Sequence, residues 1–158
     1  MDKRYISDFQ IIGSSVKKLK LQNSFVVLTD DDSIRRTIDI SHFITSVENV
    51  DGGKTLSGLL TLNVKLNVTA DKKKYSLDMA IEGCFEASCE MGEEKFREML
   101  QVNGVTSLYS IARGFVQSIT AQTLVSGSIL LPMVNVLAYS RDLDKEKEEQ
   151  KTSQNNKE

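Results

Sequence analysis

The amino-acid sequence predicts an α+β fold in which a four-stranded, mostly antiparallel sheet packs on one long helix. Between Leu60 and Ala70 apolar residues alternate with polar ones, and the same alternation returns between Tyr75 and Ala87. After Val105 the apolar period lengthens to three and four residues, which is typical of a helix with one face on a sheet. The first half of the chain is therefore expected to form the sheet and the second half the helix.

The two alternating segments are predicted to form an antiparallel hairpin, because only the short charged run 71–74 separates them. Ile38 and Ile40 show the same period upstream, in a segment that ends before the turn residues Asp51-Gly52-Gly53. A fourth strand, less regular, is predicted from Phe9 to Leu21, with a bulge or bend near Gly13. These segments complete the sheet.

A long helix is predicted from about Val105 to Val125, after a short helix that opens at Gly92. Its opposite face carries small or uncharged side chains and a single charge, Arg113. Since a helix face in water usually carries several lysines and glutamates, this face is expected to contact a second copy of the chain. The residues expected to pack on the sheet are Val105, Leu108, Ala112, Phe115 and Ile119. The residues assigned to the oligomer contact are Ser110, Arg113, Gly114, Gln117 and Ala121.

Length and charge narrow the class of protein. The chain has 158 residues, 40% of them hydrophobic and 27% charged, which suits one folded domain. A net charge of -2 argues against a nucleic-acid partner. No apolar run reaches the roughly 18 residues that cross a bilayer, and no signal peptide is recognised, so we expect a cytoplasmic protein that does not insert into membranes. We predict one domain, 1–140, and a charged, mobile tail, 141–158.

Residues that perform chemistry in enzymes form no recognisable site. Cys84 and Cys89 are placed in one strand at odd separation, so their side chains are expected on opposite faces, where they neither bridge nor share a metal. His42 is interpreted as a structural residue. Glu82 and Glu86 share a strand face without an acidic neighbour and are interpreted as solvated. We therefore expect a binding protein without cofactor or metal, and a small hydrolase is the least favoured alternative.

One stretch of residues resembles the SecB family of export chaperones. In that family a long helix opens near a Leu-aromatic-Pro-Tyr-x-Arg motif after a four-stranded antiparallel sheet, and a segment with a proline and an asparagine follows the helix. The resemblance spans Asp8 to Leu137. Its specific part consists of Leu108-Tyr109-Ser110-Ile111-Ala112-Arg113, Ser118-Ile119-Thr120 and Leu130-Leu131-Pro132-Met133-Val134-Asn135.

The resemblance implies a homotetramer, a dimer of dimers, that holds unfolded polypeptides in apolar grooves without ATP. The clients are either preproteins or one dedicated client such as an antitoxin. In export chaperones, acidic residues on the first and last strands dock the motor SecA. The first-strand positions fall near Lys18 and Gln22 here, and only Asp78 is acidic where the family pattern expects it.

The segments on either side of the acidic run 29–32 and after Pro132 lie where the SecB family builds its client groove. With two residues of the second strand, the client-binding prediction comprises Phe25, Val27, Ile34, Ile38, Ile40, Val134, Leu137 and Tyr139. An alternative from another class remains open: a structural or assembly subunit that uses the same apolar surface for one folded partner.

Overall fold

The alternating segments form the two central strands of one antiparallel sheet. The structure, a computed structural model, describes residues 7–28, 34–70, 72–136 and 138–139. The strands are β1 (Gln10–Asn23), β2 (Arg35–Val50), β3 (Thr55–Ala70) and β4 (Lys73–Ser88). Their order across the sheet is β1-β4-β3-β2, so β1 and β2 are the two edges. The predicted α+β class is confirmed. The predicted tail, 141–158, and Leu137 lie outside the described residues.

The two helices that follow β4 are joined to each other by continuous helical backbone. Helix α1 (Glu93–Met99) passes through a π-helical turn (Leu100–Gly104) into helix α2 (Val105–Thr123). The predicted bounds of α2 agree closely, but the two predicted helices are joined. Within the described ranges, no helix combines the length and apolar character needed to cross a bilayer. Because β4 ends at Ser88, Cys89 lies in a short 3₁₀ turn, and its placement in the strand was wrong.

The two faces of the sheet differ sharply. We call the face under α2 the packed face and the other the open face. On the packed face, Leu62 opposes Ile81 and Val64 opposes Met79, and all four side chains are buried. Covering each such side chain contributes about 1.5–3 kcal/mol. Hydrophobic burial on this face is therefore what fixes the register of the central pair.

Strand β1 carries two bulges, which explain its irregular sequence. The register with β4 shifts between Ile11 and Gly13 and again between Val16 and Lys18. The first shift confirms the predicted bend, whereas the second was not predicted. Each extra residue reverses the alternation of the following side chains. As a result, Ile11, Val16 and Leu19 all share the packed face, although their spacing is not period two.

Glycines let the helix approach the sheet closely. A Cβ atom on Gly83 of β4 would lie 2.7 Å from Leu108 Cδ2, and one on Gly58 of β3 would lie 2.8 Å from Phe96 Cε1. From the helix side, a Cβ atom on Gly104 would lie 2.9 Å from a methyl of Leu60. Side-chain atoms do not approach this closely, so the observed helix–sheet separation requires glycine at these positions.

The buried stripe of helix α2 is wider than predicted. Val105, Leu108 and Ala112 are buried as expected. Phe115 and Ile119, also expected to pack on the sheet, pack against the core and are half-buried. The segment after the helix covers the side of α2 that carries Tyr109 and Thr120 and so buries it. The complete buried stripe is Val105, Leu108, Tyr109, Ala112, Val116 and Thr120.

The glycine contacts predict an overpacking effect. Gly83→Ala places a methyl group against Leu108 and Phe85, both fully buried and unable to move into solvent. We expect a loss of about 1–3 kcal/mol in the free energy of unfolding, measured by urea denaturation. Gly114→Ala is the control: it meets open space on an exposed helix position, and we expect a gain of up to about 1 kcal/mol. Equal stability of both variants would contradict the close approach.

Candidate functional site

The segment after α2 is fastened along one side of that helix by three side chains. The Tyr109 hydroxyl donates to the Pro132 carbonyl at 2.8 Å, and the Arg113 Nε donates to the Leu131 carbonyl at 2.9 Å. Thr120 Oγ1 accepts from the Ile129 amide at 2.9 Å. Ile129 and Leu131 are buried beneath these bonds. The segment is thus extended, with one apolar side turned inward and the other toward solvent.

The same segment ends beside the edge strand β2. Tyr139 donates its hydroxyl to the Ile40 carbonyl at 3.2 Å, and its ring lies 5.5 Å from the ring of His42. Asn135 begins the last turn: its Oδ1 accepts from the Ala138 amide and its carbonyl from the Tyr139 amide. Two residues of the client-binding prediction, Ile40 and Tyr139, are therefore in direct contact.

The first part of the crossover from β1 to β2, residues 24–28, lies at the C-terminal end of α2. Since β1 and β2 lie at opposite edges, the chain between them has to traverse the sheet. Asn23 fastens the start of this crossover: its Nδ2 donates to the Thr123 carbonyl, and its Oδ1 accepts from the Val26 amide at 3.1 Å. Val26 is fully buried, and Leu28 packs over Gly127.

Phe25 is held in an unusual backbone conformation between Asn23 and Val26. Its φ of 56° is in the left-handed region, which is costly for an aromatic residue. The Asn23 turn and the buried Val26 on either side impose this conformation. The Phe25 ring is 76% exposed as a result. The fold thus presents an aromatic side chain to solvent and accepts backbone strain at that residue.

The predicted client-binding residues form two groups at the same end of the sheet. Phe25 and Val27 are exposed on the crossover. The others that the structure describes are half-buried against the core beside β2 and the last turn: Ile34, Ile38, Ile40, Val134 and Tyr139. One row of residues, Asn23–Tyr75–Val68–Arg36, joins the end of β1 to the start of β2. Leu137 lies outside the described residues.

Three exposed apolar residues in the segment after α2 were not predicted. Val125, Leu130 and Met133 are all more than half exposed. Leu130 stands between Ile129 and Leu131 in a run of apolar residues, so the sequence carries no signal that this one side chain is exposed. We call the exposed set Phe25, Val27, Val125, Leu130 and Met133 the apolar surface.

The outer face of α2, expected to contact a second copy, is exposed in the single chain. Ser110, Gly114, Gln117 and Ala121 are exposed. Arg113 differs from them, because its guanidinium turns toward the segment after the helix and contacts Leu131 and Met133 of the same chain.

A second apolar region lies on the other side of the helix. The edge strand β1 leaves Ile11, Val16 and Leu19 about 40% exposed on the packed face. Ile111 of α2 is exposed to a similar extent. The segment anchored by Tyr139 lies at the opposite edge, beside β2. We call this set, Ile11, Val16, Leu19 and Ile111, the β1 flank.

Asp78, the residue implied in motor docking, lies on the open face in an ion pair. Lys18 Nζ is 2.7 Å from Asp78 Oδ2, and this hydrogen bond lowers the pKa of the Asp78 carboxyl below its usual value. Lys65 and Lys20 add smaller Coulombic contributions in the same direction. Glu82, interpreted as a solvated strand residue, pairs with Lys17 at 2.9 Å on the same face.

The Tyr109 anchor gives a pH-dependent prediction. Burial raises the pKa of the Tyr109 phenol above 10.0, so the folded state favours the neutral form. The stabilisation is complete below the unfolded pKa near 10 and is lost as the pH rises toward the folded pKa. At pH 7, Tyr109→Phe should cost about 0.5–1.5 kcal/mol through the lost hydrogen bond to Pro132. This cost should shrink above pH 10 in urea titrations; a cost that grows with pH would contradict the assignment.

Comparison with known proteins identifies the fold but no sequence relative. No protein-family model and no curated protein matches the chain. Among solved structures, it is similar to the Mycobacterium tuberculosis SecB-like chaperone Rv1957, in complex with a ChAD peptide from the HigA1 antitoxin, at 13% identity and a TM-score of 0.59. The alignment covers 80% of this chain and 90% of the chaperone.

A second solved structure is less similar to this chain. It is a Streptococcus agalactiae protein of unknown function, at 10% identity and a TM-score of 0.47, with 79% of this chain and 97% of that chain covered. The similarity to the first structure over 80% of the chain shows that this four-stranded antiparallel sheet with one long helix is a SecB-like fold.

Proposed function

We propose that the protein is an ATP-independent holdase that binds non-native polypeptide segments at the apolar surface. The observation that carries this proposal is Phe25, an aromatic residue kept in solvent by a strained backbone. The hydrophobic effect would normally favour a conformation that buries such a ring. Strain combined with exposure of this kind is typical of residues selected for contact with a partner.

Binding at this surface needs no bond chemistry. Phe25 on the crossover and Leu130 and Met133 beyond the helix offer separate contacts for the side chains of an extended client. Each apolar contact that becomes fully covered contributes about 1–3 kcal/mol. Several weak contacts along one client add through effective concentration, so modest individual affinities retain an unfolded chain.

The structural neighbour supports a polypeptide client. Rv1957 was solved with a peptide from an antitoxin, on a fold shared by 80% of this chain. We therefore favour a polypeptide segment over a small molecule as the occupant of the apolar surface. Whether the clients are preproteins or one dedicated partner is decided by testing several unrelated proteins, because a general holdase protects all of them at near-stoichiometric ratio.

An assembly subunit for one folded partner is the second candidate. The hydrogen bond from Tyr139 to the Ile40 carbonyl holds the half-buried residues beside β2 in one fixed arrangement. A fixed surface suits a single folded partner. The two candidates differ in promiscuity. A subunit would protect one partner from aggregation and leave unrelated unfolded proteins unaffected.

Self-association through α2 is part of the proposal. The uncharged outer face around Gly114 and the β1 flank together offer an apolar, weakly charged area that a second copy would cover. A homotetramer built as a dimer of dimers is the arrangement implied by the family resemblance. Motor docking by SecA has less support, because Asp78 is already paired with Lys18 and has other lysines nearby.

The ring of Phe25 provides the sharpest test of client binding. Phe25→Asn removes the aromatic contact and inserts a residue that tolerates a positive φ, so stability should be unchanged or higher. We expect suppression of aggregation of unfolded clients to require about tenfold more chaperone, the equivalent of roughly 1.4 kcal/mol.

Phe43→Thr is the matched control. It removes a ring that is 52% exposed, but on the open face of β2. Its aggregation curve should match that of the wild type. Equal losses in both variants, with unchanged melting temperatures, would count against the apolar surface as the client site.

The outer face of α2 is tested by charge. Gly114→Glu places a carboxylate where a second copy is expected and meets open space within its own chain. We expect the oligomer to dissociate at micromolar concentration in size-exclusion chromatography with light scattering, because an unpaired charge buried in an interface costs several kcal/mol. Gly114→Ala should leave the oligomer intact. A wild-type protein that is strictly monomeric would contradict this part of the proposal.

A further inference from the structure

The open face of the sheet carries its polar side chains in ordered rows. One row crosses all four strands as Thr37–Asn67–Ser76–Gln22, with β2 first and β1 last. It offers only hydroxyl and amide groups, which both donate and accept hydrogen bonds. Two adjoining cavities of about 290 and 470 Å³ share Gln22, Asn67 and Ser76 in their lining. We call this feature the polar groove.

Cationic side chains border the polar groove on both sides. On one side the neighbouring row is Asp39–Lys65–Asp78–Lys20, with Lys18 beyond it. On the other side, Arg35 and Lys74 both oppose Thr69. Among the described residues, five cationic side chains thus lie in and beside these rows, against two carboxylates, Asp39 and Asp78. One of these carboxylates, Asp78, is paired with Lys18.

The opposite end of the sheet has the reverse charge. Glu86 and Glu48 lie near the ends of β4 and β2, and the 3₁₀ turn and α1 add Glu90, Glu93, Glu94 and Glu98. The cations described there are fewer: Lys54, Lys95 and Arg97. The basic character of the polar groove is therefore a local feature within an acidic protein of net charge -2.

We propose that the polar groove binds an extended, acidic segment of a partner polypeptide. Lys20 and Lys65 are exposed and stand beside the row where carboxylates of such a segment would pair with them. Asn67 and Gln22 provide amides for its backbone. Four strands about 4.8 Å apart give a groove of roughly 15 Å, the length of about four or five extended residues. Few phosphates would find partners among so few cations, so a polypeptide fits better than a nucleic acid.

This inference is independent of the holdase proposal, because the two surfaces lie on different parts of the fold. The apolar surface consists of crossover residues and residues of the segment after α2, whereas Lys20 and Lys65 of the polar groove lie on the open face. A variant of Lys20 and Lys65 should therefore suppress client aggregation as well as the wild type does, so that failure of one proposal is distinguishable from failure of the other.

The test uses a fluorescent ten-residue peptide of aspartate and glutamate interspersed with serine and glycine, with binding followed by anisotropy at low salt. We expect binding by the full chain. Lys20→Gln with Lys65→Gln should weaken it by about tenfold, since two exposed ion pairs are lost. Asp78→Asn should strengthen it severalfold, because the variant removes a carboxylate and releases Lys18. Lys54→Gln with Lys95→Gln, at the acidic end, is the matched control and should change nothing.

Four results would overturn the proposal. The first is equal weakening by the control variant, and the second is equal binding of a peptide with lysine at every acidic position. The third is tighter binding of a single-stranded oligonucleotide of the same charge, which would assign the groove to nucleic acid. The fourth is binding that appears only when Asp30, Asp31 and Asp32 are changed to Asn, since the occupant would then be the chain's own acidic segment.

Discussion

The close approach of the helix to the sheet is the constraint on which the rest of the structure depends. Gly58 and Gly83 leave space on the packed face, and Gly104 does the same on the helical side. Larger side chains at these positions would lift the helix and open the core above Leu60 and Phe85. The π-helical turn that ends at Gly104 lies at this contact and continues into α2.

The position of α2 in turn sets the positions of the segment after it and of the crossover, because both are hydrogen-bonded to this helix. Tyr109, Arg113 and Thr120 point away from the β1 edge and hold the later segment by its backbone. At the C-terminal end of the helix, Thr123 accepts from Asn23 and hydrogen-bonds with Tyr75, which ties the crossover to the sheet. Exposure of apolar side chains at this end is therefore a product of firm anchoring, and flexibility is not needed to explain it.

The sheet separates two kinds of binding chemistry. Burial of the packed face leaves exposed apolar residues at its margins, in the crossover, after α2 and along β1, where extended apolar partners or a second copy of the chain would fit. The open face is polar, and rows of side chains from four strands combine there. Residues as distant in sequence as Gln22 and Asn67 line one groove through these rows. One small fold thus offers surfaces for partners of unlike character.

The sequence by itself determined the central strands, the helix and the uncharged outer face of α2, because burial on one side imposes a period that is visible without the fold. The predicted alternation from Leu60 to Ala70 is an example. Only the tertiary structure decided the phase of β1, since its bulges depend on pairing with β4. The same holds for Phe25, whose exposure follows from anchors on both sides. It holds too for the width of the buried stripe on α2, because the segment beyond Gly127 covers the side that carries Thr120. Contacts between distant residues leave no local pattern, and for that reason the polar groove was not predictable from the chain alone.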